Sequence, residues 1–293
     1  MRLLLLFSLF NLCLGHYKWK DTSLFFGWYG YNPDVMEGWT NLGYSLNLTL
    51  LVNNANKGIN QLYELNDMYI DTPNGLILSE NWTEVITDEI IEMYNNRTII
   101  GFFMGDELMW DGLSYNNLTL TAEYVRFLFP NAFIWENEGA NVFKCNKTYG
   151  KCINGHNRIV NITDGIPPGL SVISVDMYHM NHPDSKFVSV VKQFYQTWIY
   201  PKLHNHQRAF TVPGSFASNF NPTCNFNCYD RMCAEDAMNY YSWALEDPLI
   251  TGMVPWTWYN CTTCQKFEDE IGTKYMNITK TTWNVIGDLI VNE

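Results

Sequence analysis

The chain is short of positive charge. Its 293 residues carry 18 Lys and Arg against 30 Asp and Glu, a formal net charge of −12. That balance argues against a nucleic-acid partner, whose phosphates require a basic face. The chain also lacks any apolar run after its first fifteen residues that is long enough to span a bilayer. A P-loop and a dinucleotide fingerprint are both missing. Ser215, in Pro213-Gly214-Ser215-Phe216, is not framed by the G-x-S-x-G elbow, so serine-hydrolase chemistry has no support. No linker, low-complexity stretch or composition break divides the sequence, and no cofactor is expected.

What is present begins with an export signature. Arg2, the apolar stretch Leu3–Leu14 and the small residue Gly15 read as a signal peptide over residues 1–15. A domain covering 16–293 follows, destined for secretion or for a lumen of the secretory pathway, the lysosome included. Eight N-x-Ser/Thr sequons support this route. Asn81, Asn96, Asn117, Asn146, Asn161, Asn260 and Asn277 are expected to face water and carry glycan, whereas Asn47 sits inside a strand-like run. Once Cys13 leaves with the signal, the cysteines fall into three tight groups: Cys145/Cys152, Cys224/Cys228/Cys233 and Cys261/Cys264. In an exported chain these read as loop disulfides, with one thiol left over. Zinc is the rival reading, since Cys261-x-x-Cys264 has ligand spacing.

Strand-like and helix-like segments alternate. Predicted strands cover Ser23–Tyr31, Tyr44–Val52, Gly75–Glu80, Ile99–Glu107, Ala132–Glu136, Leu170–Tyr178, Arg208–Pro213 and Ile250–Trp258. Predicted helices cover Thr83–Tyr94, Leu120–Phe129, Lys186–Tyr200, Ala234–Leu245 and Thr281–Val291. Eight strands with intervening helices predict an α/β fold, a single (β/α)8 TIM barrel. The cysteine groups follow strands five, seven and eight, so disulfides would staple loops at the C-terminal face of the strands.

That face is where chemistry is expected. The segment Ile99–Trp110, IIGFFMGDELMW, holds the fourth strand, which ends in Asp106 and Glu107. Alternation puts Phe103, Gly105 and Glu107 on one face and Phe102, Met104 and Asp106 on the other. Gly105 suits a crowded interior, so Glu107 is expected in the mouth with Asp106 beside it. Two close carboxylates raise each other's proton affinity, which suits a general acid. On the sixth strand, Ser174, Asp176 and Tyr178 share a small polar face, making Asp176 a third catalytic candidate and Tyr178 a substrate contact. Glu136, in Trp135-Glu136-Asn137-Glu138, and Trp256 and Trp258, on the eighth strand, are further candidate contacts, with Trp28 and Tyr29 weaker versions of the same argument. Aromatics form 16% of the chain, including 11 Trp and 18 Tyr. They suit a carbohydrate partner by stacking on sugar faces, or simply a large core. His179 and His182, with Asp176 and Asp184, match no familiar metal spacing, and no metal site is assigned. Oligomeric state is not legible.

At this point the chain resembles secreted barrel glycoside hydrolases. Gly105-Asp106-Glu107-Leu108 with Trp110 is similar to the Gly-Asp-Glu motif of family 20 hexosaminidases. That resemblance implies Asp106 as the group orienting a substrate acetamido moiety and Glu107 as the acid that protonates the leaving oxygen. Trp135-Glu136 is similar to that family's fifth-strand Trp-x-Glu region. Asp176-Met177-Tyr178 and Trp256 resemble strand-end residues of family 18 chitinases. Two departures stand out. Arg208–Phe216 has no carboxylate where many retaining barrel glycosidases place a nucleophilic Glu, and Trp258 stands where family 20 has a Glu. The alternatives are a substrate-assisted enzyme acting on an N-acetylhexosamine, an inverting enzyme with Asp176, Glu136 or Glu138 as base, and an inactive barrel that binds carbohydrate.

Overall fold

The computed structural model describes residues 24–28, 39–143, 165–178, 187–217, 226–256, 271–272 and 275–292. Within them, eight parallel strands form one sheet. These are β1 (Phe25–Phe26), β2 (Leu42–Ser45), β3 (Asn60–Glu64), β4 (Gly101–Asp106), β5 (Phe133–Gly139), β6 (Val172–Asp176), β7 (Arg208–Val212) and β8 (Ile250–Met253). Each pairs with its neighbour in sequence, from β2 through to β8, and β8 pairs with β1. The remaining gap, between β1 and β2, is closed by one side chain. Asn41 accepts the Phe26 N–H at 2.7 Å and donates to the Leu24 carbonyl at 2.9 Å, while its own N–H reaches the Phe26 carbonyl at 2.9 Å. A side-chain amide thus stands in for a ladder rung, and the sheet is a nearly closed (β/α)8 barrel.

Alternation along the strands sorts the core into two layers. Phe25, Leu42, Tyr44, Leu62, Phe103, Phe133, Trp135, Val172, Phe210, Val212 and Val254 pack together inside the barrel. Their partners one residue along, such as Phe102, Ile134, Ile173 and Val175, pack outward with the helices. Six of the interior side chains are aromatic, and they interlock. Ring centroids of Phe103 and Trp135 lie 4.5 Å apart, Tyr44 and Phe103 4.5 Å, and Phe133 and Phe210 5.7 Å. Much of the aromatic richness is therefore barrel filling. Such bulk needs relief elsewhere: a Cβ on Gly252 would lie 2.6 Å from the Phe210 ring.

The helices around the sheet are α1 (Leu48–Ala55), α2 (Asp88–Asn95), α3 (Tyr115–Leu128), α4 (Phe187–Phe194), α5 (Phe226–Glu246) and α6 (Asn277–Asn292). Helix α3 shows how the sequence sets them. Ser114 caps it by accepting the Asn117 N–H at 3.2 Å. Leu118, Thr121, Ala122 and Val125 then recur at helical spacing and are buried against the sheet. No helix among the described residues is long and apolar enough to cross a membrane.

Three expectations need correction. The run Tyr44–Val52 is not one strand: β2 ends at Ser45, and Asn47 accepts the Leu50 N–H to cap α1. Gly75–Glu80 is not a barrel strand; its Ile77–Leu78 pairs antiparallel with Tyr69–Ile70 in a small hairpin. The third barrel strand is Asn60–Glu64 instead. Cys228 and Cys233 lie within α5, which starts well before Ala234, rather than in a loop. Cys145, Cys152, Cys224, Cys261 and Cys264 lie outside the described residues, as does the predicted signal peptide. Among the sequons, Asn81, Asn96 and Asn277 are exposed and Asn117 is half-buried, while Asn146, Asn161 and Asn260 lie outside the described residues.

Candidate functional site

The C-terminal ends of β3 to β6 converge on a group of carboxylates. Alternation on β5 sends Phe133 and Trp135 inward and Ile134 outward. Carried to the end of the strand, it points Asn137 and Gly139 into the barrel and Glu136 and Glu138 away from it. On β6, Val172 faces inward, and so in turn do Ser174 and Asp176. On β3, Leu62 faces inward, so Glu64 reaches the same mouth.

The end of β4 departs from simple alternation. Phe103 pairs with Trp135, yet Asp106 pairs with Asn137, so three steps on β4 match two on β5. This bulge inserts one residue and turns Asp106 to the inner face. Gly105 makes it possible with a φ of +145°. Asp106 accepts the Asn137 amide at 2.8 Å, and the Asn137 carbonyl oxygen in turn accepts the Ser174 hydroxyl. Ser174 also accepts the Trp135 indole N–H at 2.8 Å. A chain of hydrogen bonds thus ties the site floor to the aromatic core.

Glu107 follows with a φ of +48°, one of two non-glycine residues among those described in the left-handed region. Its N–H donates to the Asn137 carbonyl at 2.8 Å, and its own carbonyl accepts the Asp111 N–H at 2.7 Å. The side chain lies over Gly139. A Cβ placed there would be 3.1 Å from Glu107 Oε1 and 3.5 Å from the Trp110 ring. Gly139 pairs with Asp176 across the β5–β6 ladder, so Glu107 and Asp176 flank the same glycine. Glu107 therefore reaches the mouth through the bulge and the turn after it, not through the strand parity expected from the sequence.

The electrostatics follow from crowding of like charge. Burial, then Asp106, Glu138 and Asp111, push the Glu107 carboxyl up to about 8. Asp176 is held well above the usual carboxylate range by burial and by the charges of Asp106 and Glu107. Glu64 is raised by burial and by Asp106, against a hydrogen bond from Asn66. Burial and Asp176 raise the Tyr178 phenol. Near neutral pH, Glu107 thus retains a proton that an ordinary glutamate has lost. Beyond the ends of β6 and β8, the Tyr178 and Trp256 rings stack with centroids 6.5 Å apart and planes 22° apart.

The remaining expected residues divide. Glu136 is 0% exposed on the outer side of β5, so it does not face the mouth. Trp28 is 1% exposed and packs edge-on against Trp39 and Trp283 in the outer core. Neither can touch a ligand in the barrel mouth, which corrects both expectations. Tyr29, Trp258, His179, His182 and Asp184 lie outside the described residues. On β7 the inward residues are Phe210 and Val212, so that strand brings no carboxylate to the mouth. Among the described residues, no group of three or more His, Cys, Asp or Glu side chains is arranged to hold a metal ion. Glu64 is the site residue that sequence reading missed. Its signal was the alternation in Asn60-Gln61-Leu62-Tyr63-Glu64, masked by polar residues at the start.

No protein-family model matches the chain, and no curated protein matches it. Solved structures do resemble it. A xylanase from Paenibacillus barcinonensis, complexed with a conduramine derivative, superposes with a TM-score of 0.55 at 10% identity, over 93% of this chain and 98% of that one. A beta-glucuronidase from an uncultured Clostridium species gives 0.53 at 10% identity, over 90% and 50%. A GH2 beta-galacturonidase from Eisenbergiella tayi, bound to galacturonate, gives 0.50 at 11% identity, over 90% and 51%. The chain spans about half the length of the last two proteins. At these identities the likeness establishes the barrel fold alone.

Proposed function

We propose that this chain is a glycoside hydrolase with Glu107 as its general acid. One observation carries the reading: at the C-terminal end of the barrel, the Glu107 carboxyl lies over Gly139 between Asp106 and Asp176, where burial and like charge raise its proton affinity. Glycosidic cleavage requires such an acid to protonate the leaving oxygen. Asp176 and Tyr178 would hold the reacting sugar and Trp256 would stack against it, with the Tyr178–Trp256 pair as a ready platform. The fold is that of solved barrels named for xylan, glucuronide and galacturonide hydrolysis. The mature protein would be one exported, glycosylated domain, 16–293, with disulfides in its mouth loops.

The missing carboxylate on β7 bears on mechanism. It favours substrate assistance, in which an N-acetyl group attacks the anomeric carbon while Asp106 orients it and Glu107 protonates the departing oxygen. Asp106 is suited to that role, since the Asn137 amide fixes one of its oxygens and its charge sits beside Asp176. The same absence also supports a second reading, a barrel that binds carbohydrate without cutting it.

The test is turnover of a panel of chromogenic glycosides, N-acetylhexosaminides included, by wild type and Glu107→Gln. Hydrolysis by the wild type and a loss of 10²-fold or more in the variant are expected. Equal turnover would remove Glu107 from the mechanism. Glycan-array binding with no product by mass spectrometry would instead favour the non-catalytic barrel.

A further inference from the structure

Two buried acids lie directly beneath the proposed catalytic turn. Glu138 is 0% exposed, and both its oxygens are occupied by backbone donors. Oε2 accepts the Met109 N–H at 2.8 Å; Oε1 accepts the Trp110 N–H at 3.1 Å and the Gly139 N–H at 2.9 Å. Met109 and Trp110 lie two and three residues after Glu107. Glu138 therefore pins the turn just beyond the left-handed residue. A carboxylate offers about four lone-pair sites, and backbone N–H groups fill three.

Glu136, two residues earlier on the same outer face and also 0% exposed, bears on the fourth. As a carboxylate it meets no donor at either oxygen. The two carboxyls share a hydrogen bond in which Glu136 holds the proton; burial pushes Glu138 up to about 8, and its three backbone donors work against that rise. The other ionisable groups acting on it are Asp106 on β4, Asp176 on β6 and the Tyr69 phenol, whose hydroxyl bonds to Thr121 of α3. None of them is a cation, and the buried face of α3 brings only Leu118, Thr121, Ala122 and Val125. A second unpaired charge here would carry the full cost of desolvation.

We propose that Glu138 is a positioning residue for Glu107: its carboxylate, bonded to three backbone N–H groups and to the Glu136 carboxyl, clamps the turn that holds Glu107 over Gly139. This rests on the reading of Glu107 as the general acid. It assigns Glu136 as a hydrogen-bond donor inside the fold rather than a base or a sugar ligand. Glu138→Gln puts an NH₂ group against backbone N–H donors and loosens the clamp. Glu136→Gln keeps a donor toward Glu138 and preserves it.

The test has one arm that needs no activity. Amide hydrogen exchange over residues 107–112 is expected to accelerate at least tenfold in Glu138→Gln and to stay within threefold of wild type in Glu136→Gln. The infrared spectrum of the wild type at pH 7 should hold a carbonyl stretch of a buried neutral carboxylic acid that Glu136→Gln removes. Unchanged exchange in Glu138→Gln, or no such band, overturns the clamp whatever the protein's function. The second arm uses whichever chromogenic glycoside the wild type cleaves. Glu138→Gln should lower kcat about 10- to 100-fold with KM within threefold. Its alkaline limb should move to lower pH, because the Glu138 charge helps Glu107 keep its proton. A fall in kcat with an unmoved limb would reduce Glu138 to a purely structural role and refute the proposal. Altered exchange together with no turnover by the wild type would uphold the clamp and reject the hydrolase reading.

Discussion

Replacing Glu107 with Gln should make the protein more stable in alkaline solution while removing its chemistry. The Glu107 carboxyl is displaced from 4.5 to about 8 in the folded protein. Its proton is held more tightly folded than unfolded. The stability it contributes is thus fully present below about pH 4.5 and drains away as pH rises through about 8. At roughly 1.4 kcal/mol for each tenfold change in proton affinity, the whole displacement amounts to about 5 kcal/mol. Glu107 is partly open to solvent, and screening reduces this to roughly 2–3 kcal/mol. Gln has the same shape and no titration, so the variant escapes that loss. For a domain of this size 1 kcal/mol moves Tm by about 2–4 °C. The Tm of Glu107→Gln relative to wild type should therefore climb by roughly 5–10 °C between pH 5 and pH 9. Glu136, Glu138 and Asp176 titrate in both proteins and largely cancel in the difference. Activity should fall by about 10²–10⁴ at pH 6, the usual share of a general acid. Parallel Tm curves across this range would refute the account of crowded carboxylates around Glu107.

Other outcomes follow from the same geometry. Gly139→Ala sets a methyl group 3.1 Å from Glu107 Oε1; kcat should drop at least tenfold with little change in Tm, measured by steady-state kinetics and thermal melts. Trp256→Ala removes one ring of the stacked pair with Tyr178, so KM should rise roughly 10-fold, about 1.4 kcal/mol, with kcat nearly unchanged. Gly101→Ala would force a Cβ to within 1.8 Å of the Phe133 carbonyl oxygen; the β4–β5 pair must spread, and urea denaturation should show a loss of about 3 kcal/mol or more.

Legibility in the sequence tracked the strength of local signals. Strands β4 to β8 stand out because each holds a cluster of apolar residues, many of them β-branched or aromatic, as in Val172–Asp176 and at the start of Phe133–Gly139. The second and third units were opaque. Tyr44–Leu50 alternates apolar and polar residues as a strand would, yet Asn47 within it caps the helix Leu48–Ala55. Strand β3 begins with Asn60 and Gln61, which look like loop residues. Gln61 is nevertheless buried because its amide reaches the carbonyls of Ile59 and Asn60. Losing β3 meant losing Glu64. Ending β5 at Glu136 rather than Gly139 hid another fact: continued alternation turns Glu136 and Glu138 to the outer face.

By itself, the sequence determined the chemistry on offer. It supplies acids at the ends of β3 to β6, aromatics to fill a barrel, and no acid on β7, because side-chain identity and strand period are local properties. The tertiary structure decided which acids meet and in what state. The bulge at Gly105 exists only against β5, and it turns Asp106 inward. The proton on Glu107 depends on burial and on Asp106, Glu138 and Asp111, one of which comes from another strand. Orientation and protonation at this site are pairwise quantities between elements, so no pattern along a single strand could encode them.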